Sequence, residues 1–569
     1  MKRLLKREFR KCTYLPKTNK NEDTHIVSEL LTYDDESTER NFNVIENYKR
    51  PYFVTKKIYR KRHKQKQEYE DVKYLERIDC TESEAVKKLA FKLGERGRPN
   101  MRKLKSSPYL YNADLKASTI IKKIYNSKLN GDFTPYSVCM LDIEAHVLTS
   151  EISLITISLD DKSFTYVNKT WMDDKDEDKF KEKVYKIYEE EAPDIKSVSK
   201  DGLVTTTDGS TYTLDIIFCR DEGKVIQQCM SKVHALKPDI LTAWNALYDI
   251  DTMSQRARDV WRIDPADLFS DPSIPKHLRH FSIKRDDGDY KKMNSGKESF
   301  VPFHARWHVF NTSSYFTILD NMAAFFFIRN GSEPQVAGGY SLDNILDNYV
   351  NFNKLKPRIP GLDFLGKKEW NEVMSRKHKA EYCAYNIFDS KSMIFLDNKT
   401  NDLTINLPLL LQDSEIDIFK SGPKRLLDSY SFFLLDKGKV VSTKSPLAQK
   451  TEGLGTEDWI VTLDAWKKGY KNTFKPWVSL DTVRSNLRLL TTDLDIISSY
   501  PFQTLMFGLG TKRTSRELID VEGFEKSYFV KQNLGICTGK VHALGFGSKM
   551  LNLPTVYELD EYIKNKKVA

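Results

Sequence analysis

Three closely spaced apolar runs constrain this chain most: Val138-Cys-Met-Leu141, the alternating Ile152-Ser-Leu-Ile-Thr-Ile-Ser-Leu159, and Phe164-Thr-Tyr-Val167. Short apolar runs joined by short polar links predict an antiparallel meander. A strand (Thr213 to Cys219), a helix (Glu222 to Ala235) and another strand (Ile240 to Trp244) come next, and the pattern resumes at Tyr315-Phe-Thr-Ile-Leu319. That order predicts a mixed α/β unit.

At 569 residues the chain exceeds what one hydrophobic core organises, so two to four domains are expected. Residues 1–130 read as a small, basic α+β domain, in which Thr81-Glu-Ser-Glu84 forms a capping box ahead of Val86, Leu89, Ala90 and Leu93. Residues 131–400 hold the α/β unit, with a surface helix or insertion at Met172 to Glu191 and an exposed excursion at 262–305. Helices are expected at Ser341 to Tyr349, and from Lys368 through Tyr385 to Leu410. Residues 401–569 form a third region, strand-like at Leu487 to Ile497.

No apolar run reaches the roughly 20 residues that span a bilayer, and the basic start lacks the apolar stretch of a signal peptide. A cytoplasmic protein without a membrane partner is expected. Seven cysteines without a CxxC pair fit a reducing compartment and argue against structural zinc. The net charge of +10 favours a polyanionic partner. Lys56, Lys57, Arg60, Lys61, Arg62 and Lys64 are interleaved with Tyr52, Phe53 and Tyr59, which suits phosphate contact and base stacking, or equally a solvated or disordered basic arm.

Three carboxylate groupings carry the chemistry. Asp142-Ile143-Glu144 ends an apolar strand, where i and i+2 share a face. Asn245-Ala-Leu-Tyr248-Asp249 follows a strand, though Asn245 could merely make a turn and Asp249 cap a helix. Tyr385-Asn-Ile-Phe-Asp389 places a phenol and a carboxylate at i and i+4 of a helix. Each grouping alone has an ordinary structural explanation. Together they supply four acids and a phenol, and hard oxygen ligands of this kind select Mg²⁺ or Mn²⁺ for phosphodiester cleavage.

These three segments resemble the exonuclease motifs of family B DNA polymerases, those of tailed phages above all, and Leu241-Thr-Ala-Trp-Asn245 and Tyr340-Ser-Leu-Asp343 are similar to the family as well. The resemblance implies an RNase H-like 3′–5′ proofreading domain. In it Asp142, Glu144, Asp249 and Asp389 hold two Mg²⁺ or Mn²⁺ ions, Tyr385 orients water, and Asn245 and Tyr248 contact a single-stranded DNA 3′ end. Further on, Asp495-Ile-Ile-Ser498-Ser-Tyr500-Pro501 is similar to the first polymerase motif of the family, with Ser499 and Phe502 departing from its usual Leu and Ser. The resemblance implies a palm metal ligand at Asp495, nucleotide contacts at Ser498 and Tyr500, and primer-template as a further partner.

The family's fingers signature and Asp-Thr-Asp turn do not occur before Ala569. The expectation is therefore the N-terminal part of a split polymerase, with an incomplete palm at 401–569 and a second polymerase chain completing synthesis. A truncated or freestanding 3′–5′ exonuclease is the alternative. A ribonuclease or repair exonuclease would not need the N-terminal region and palm-like motif, and a non-catalytic DNA-binding scaffold would not need all four acids.

Overall fold

The computed structural model describes residues 2–443 apart from 63–67, 130–132, 174–175, 293–297, 331–335, 353, 356–358, 360–361 and 363–364, together with the backbone of 536–537 and 541–542. The chain divides into two compact units, Met1–Pro446 and Leu447–Ala569. In the second, Ile536–Cys537 pairs antiparallel with Val541–His542. Asp495, Ser498 and Tyr500, and with them the palm reading, lie outside the described residues.

The first unit begins with an antiparallel sheet of β1 (Leu4–Leu15), β2 (Thr24–Tyr33) and β3 (Thr38–Glu46). Next come β4 (Arg50–Thr55), β5 (Tyr69–Asp71), β6 (Leu75–Cys80), α1 (Glu82–Leu93), α2 (Met101–Leu104), β7 (Leu110–Tyr111) and α3 (Ala117–Asn126). The capping box forms as expected: the Thr81 side chain accepts from the Glu84 N–H, and Gly94 closes α1 at φ 78°. Left-handed backbone of that kind suits glycine. One expectation needs correcting. Tyr52 and Phe53 of the basic segment are buried in β4, and Tyr59 packs edge-on to Tyr74 at 5.0 Å, so the first two are core residues and not stacking platforms.

The central sheet uses β8 (Val138–Ala145), β9 (Ile152–Ser158), β10 (Lys162–Asn168), β11 (Ile195–Val198), β12 (Leu203–Thr206), β13 (Thr211–Cys219), β14 (Ile240–Ala243) and β19 (Thr317–Asp320). Its order is β11-β12-β13-β10-β9-β8-β14-β19. β8, β9 and β10 form the expected antiparallel meander, while β14 runs parallel to both β8 and β19. Helices α4 (Glu177–Glu191), α5 (Glu222–Leu236) and α6 (Ala246–Asp259) lie among these strands in sequence. The whole is a mixed α/β architecture.

Side-chain alternation in β8 decides which residues meet which layer. Cys139, Leu141, Ile143 and Ala145 join the core built with Val225, Met230, Ile250 and Met253 of α5 and α6. Met140, Asp142 and Glu144 therefore turn to the opposite face, as period-two geometry requires. That face is covered by α11 (Lys379–Thr400), on which α4 packs through Phe180, Val184 and Tyr188 against Cys383, Ala384 and Ile387. The segment expected as a surface helix thus buries one full stripe.

Between β14 and β19 the chain forms α7 (Pro265–Phe269) and strands β15 (Phe281–Lys284), β16 (Tyr290–Lys292), β17 (Glu298–Phe300) and β18 (Val309–Thr312). The excursion is only partly exposed, because Leu268, Phe269, Ile274 and Leu278 are buried anchors. After β19 come α8 (Asn321–Arg329), α9 (Leu342–Val350), α10 (Lys367–Lys377), α11, α12 (Leu407–Leu411), α13 (Gly422–Asp436) and β20 (Lys439–Val441). The expected continuous helix from Lys368 breaks at His378, whose ψ of 52° leaves the helical region. β20 returns to pair antiparallel with β5, tying residues 439–441 to the N-terminal strands. Among the described residues no helix is long and apolar enough to cross a membrane.

Candidate active site

The four acids arrive from three elements. Asp142 and Glu144 project from β8 toward α11, and Asp389 lies on α11 itself, 3% exposed. Asp249 sits in the first turn of α6 and accepts from the Ile143 backbone N–H, which draws it onto β8 between the other two. Asn245 occupies the N-cap position without a side-chain cap bond. The N-terminal N–H groups of α6 are met instead by Asp320 at the end of β19, which accepts from Ala246 and Leu247 and also caps α8 through Ala323. One carboxylate thereby fixes the starts of two helices, satisfying donors a helix cannot satisfy itself.

Electrostatics show how close the acids stand. Burial pushes Asp142 well above the usual carboxylate range, and Glu144, Asp389 and Asp249 push it further while Lys354 opposes them. Asp249 is raised in the same way by burial, Glu144 and Asp320. Asp389 is raised by burial against the pull of Lys354. Like charges in a low-dielectric site cannot all ionise without a compensating cation.

In this structure each of three acids has its own partner. Asn386 Nδ2 donates to Asp142 Oδ2 at 2.6 Å, the Tyr382 hydroxyl donates to Glu144 Oε2, and Lys354 Nζ pairs with Asp389 Oδ2. Tyr382, Tyr385, Asn386 and Asp389 form one stripe of α11 at helical spacings of three and four. Lys354 also donates to the Tyr385 hydroxyl at 3.1 Å. Its own position is set by Asp343, whose Oδ1 accepts the Lys354 backbone N–H at 2.9 Å. Burial lowers the Lys354 ammonium, but Asp389, Asp142 and Glu144 outweigh this and hold it above its ordinary value.

The rim and wall are aromatic. Tyr248 is half exposed, and its phenol is raised by burial and then by Asp249, Glu144 and Asp142, which places it near the acids. Tyr382 stacks on Tyr385 with ring centroids 6.3 Å apart and planes at 10°, and Trp370 packs edge-on against both. Trp244 Nε1 donates to the Tyr340 carbonyl at 3.1 Å, joining the two shorter segments named with the exonuclease motifs.

The five residues expected from the three carboxylate segments, Asp142, Glu144, Asp249, Tyr385 and Asp389, are thus neighbours, and Tyr248 stands at their edge. The exposed Tyr/Asp pair that a lone helix would suggest is not found: Asp389 is buried. His146 belongs to the turn after β8, where Nδ1 accepts from the Leu148 and Thr149 N–H groups at 3.3 Å. Lys354, Tyr382, Asn386 and Asp320 were not anticipated. Tyr382 and Asn386 were readable, since they share the helical stripe of Asp389; Lys354 lies in an irregular segment without a periodic signal.

The donor set is all oxygen, which suits Mg²⁺ or Mn²⁺. Asp389 Oδ1 is buried and has no hydrogen-bond partner among the described residues, as an oxygen reserved for a cation would be. Among the described residues no three His, Cys, Asp or Glu side chains already stand as a ligand cluster; Lys354, Tyr382 and Asn386 hold the acids one by one. The donor chemistry fits a divalent cation. Neither a protein-family model nor a curated protein matches this chain.

Proposed function

We propose that this chain is a metal-dependent 3′–5′ DNA exonuclease of the family B polymerase type. The observation that carries the reading is the convergence of Asp142, Glu144, Asp249 and Asp389 around Tyr385 and Lys354. The sheet supports it too. Within the larger sheet, β10-β9-β8-β14-β19 has three antiparallel strands followed by two parallel to the first, an order similar to RNase H-like nucleases.

Asp142, Glu144, Asp249 and Asp389 would hold two divalent cations, which lower the pKa of water and neutralise charge on the scissile phosphate. Tyr385 holds the attacking water by hydrogen bond. Lys354, next to that phenol, faces the phosphate with its ammonium and offsets charge that builds as the water oxygen bonds to phosphorus. The bond from phosphorus to the 3′ oxygen of the preceding nucleotide breaks, and that oxygen takes a proton. The products are a nucleoside 5′-monophosphate and a strand one residue shorter. Tyr248, exposed at the rim, contacts the terminal nucleotide, with Asn245 beside it.

The test is direct. Purified chain with Mg²⁺ or Mn²⁺ shortens single-stranded DNA from its 3′ end, releasing mononucleotides, and Asp142→Ala/Glu144→Ala abolishes the release. An equal rate in the double variant overturns the assignment.

A further inference from the structure

The N-terminal region carries a charge imbalance that the acid cluster does not use. Residues 56–62 and 85–105 contain thirteen lysines and arginines and a single acid, Glu95, in a chain whose totals are nearly balanced at 90 to 80. The fold brings these stretches together. The first is the 3-10 helix Lys57–Arg62, and its Arg60 Nη2 donates to the Lys92 carbonyl at the end of α1 at 2.8 Å, while Nε donates to the Thr55 carbonyl. Lys88 and Lys92 are engaged by Glu84 and Glu76. Lys57, Lys61, Lys87, Arg96 and Arg98 are exposed and make no ion pair among the described residues.

These stretches also carry two strongly exposed large apolar side chains, Phe91 at 82% and Ile58 at 76%. Phe91 follows Lys87 and Lys88 by one helical turn, so its ring is flanked by cations. Of the other apolar residues of α1, Ala85, Leu89 and Ala90 are buried and Val86 and Leu93 half-buried against the same core, which holds the helix in place.

We propose that this face is a second nucleic-acid site, which binds single strands with Phe91 as the platform on which an unstacked base lies and the surrounding cations on the backbone phosphates. A duplex opens its base faces only where a step is unstacked at a cost of a few kcal/mol, whereas a single strand offers them without that cost, so the exposed ring favours a single strand. An anionic membrane would need a continuous apolar face, and of the apolar residues of α1 only Phe91 is exposed, Val86 and Leu93 being half-buried in the core. None of these residues belongs to an element that supplies the four acids, so the site stands or falls apart from the exonuclease reading.

The test uses the full chain, EDTA, and a labelled circular single strand of about 40 thymidines, which has no 3′ end for the acid site to take. Anisotropy measures its affinity. Phe91→Ala, a change at a solvent-facing position, weakens binding by about 5-fold or more, as loss of one stacked base does, and leaves the salt slope unchanged. Arg96→Ser/Arg98→Ser reduces the slope of log affinity against log salt by about 1.4, for two phosphate contacts. Asp142→Ala/Glu144→Ala binds the circle like the parent. Parent-like affinity in Phe91→Ala overturns the proposal. So does loss of the circle in the Asp142→Ala/Glu144→Ala variant, or tighter binding to a duplex circle or to phosphatidylserine vesicles than to the single strand.

Discussion

Tyr382 shows what a single side chain contributes at this site. Its ring packs against Tyr385 and Trp370, and its hydroxyl meets Glu144, so it fixes the direction of a carboxylate. Removing only that oxygen, Tyr382→Phe, keeps the packing and takes this one bond from Glu144. Partners of this kind typically contribute about 10–100-fold in metal affinity, and Mn²⁺ titration of the variant should show a loss in that range; unchanged affinity would assign Tyr382 to packing alone. Lys354→Ala should behave differently. It removes the cation that competes for Asp389, so Mn²⁺ binding is kept or strengthened while kcat falls, a split that steady-state kinetics beside the titration would detect. At this scale the sequence is legible where geometry is regular. Period two in β8 puts Asp142 and Glu144 together, and i to i+4 in α11 puts Tyr385 beside Asp389. Lys354 is invisible because its position depends on a backbone bond to Asp343 across an irregular segment.

The elements explain why some boundaries are hard to read. α11 is buried on nearly every side, from Ala380 to Asp397, so it lacks the amphipathic stripe that marks a surface helix. Its polar residues are inside: Ser390 bonds Ser158 at 3.0 Å, and Lys391 donates to the Leu159 carbonyl at 2.8 Å. The strands of the meander and α1 are legible because alternation and capping act locally. The excursion at 262–305 looked exposed because its charges outnumber the few apolar anchors that bury. Asp320 is the clearest long-range case, as its partners on α6 are far away in sequence. Burial raises its carboxyl to about 7 even though four backbone N–H groups oppose the shift. Asp320→Asn keeps an acceptor and should retain most of the stability. Asp320→Ala strips the cap from two helices and should cost about 1–2 kcal/mol in urea unfolding, with a loss of nuclease activity as Asp249 shifts. Equal unfolding midpoints for the two variants would contradict the double-cap role.

Across the whole first unit, the return of β20 to β5 explains why residues as late as Val441 belong with the N-terminal strands, a pairing that no local pattern announces. Elsewhere in the unit, beside Lys122 and Lys116, Glu415 is raised by burial to about 7, with Oε1 out of solvent and without a hydrogen bond among the described residues. A carboxyl raised on folding adds stability that is complete below its unfolded pKa and lost as pH rises through the folded one. Stability tied to Glu415 is thus lost between about pH 4.5 and 7. Glu415→Gln should match the parent near pH 4 and exceed it at pH 8 by on the order of 1 kcal/mol; a difference that does not change with pH would contradict this.

Phosphodiester cleavage at this site requires the acids to accept divalent cations once Lys354 gives way. Mn²⁺ binding to the full chain, followed by electron paramagnetic resonance, tests this without reference to DNA. Two Mn²⁺ ions per chain, lost together in Asp142→Ala/Glu144→Ala, is the result expected, whereas the same binding in parent and variant would contradict it.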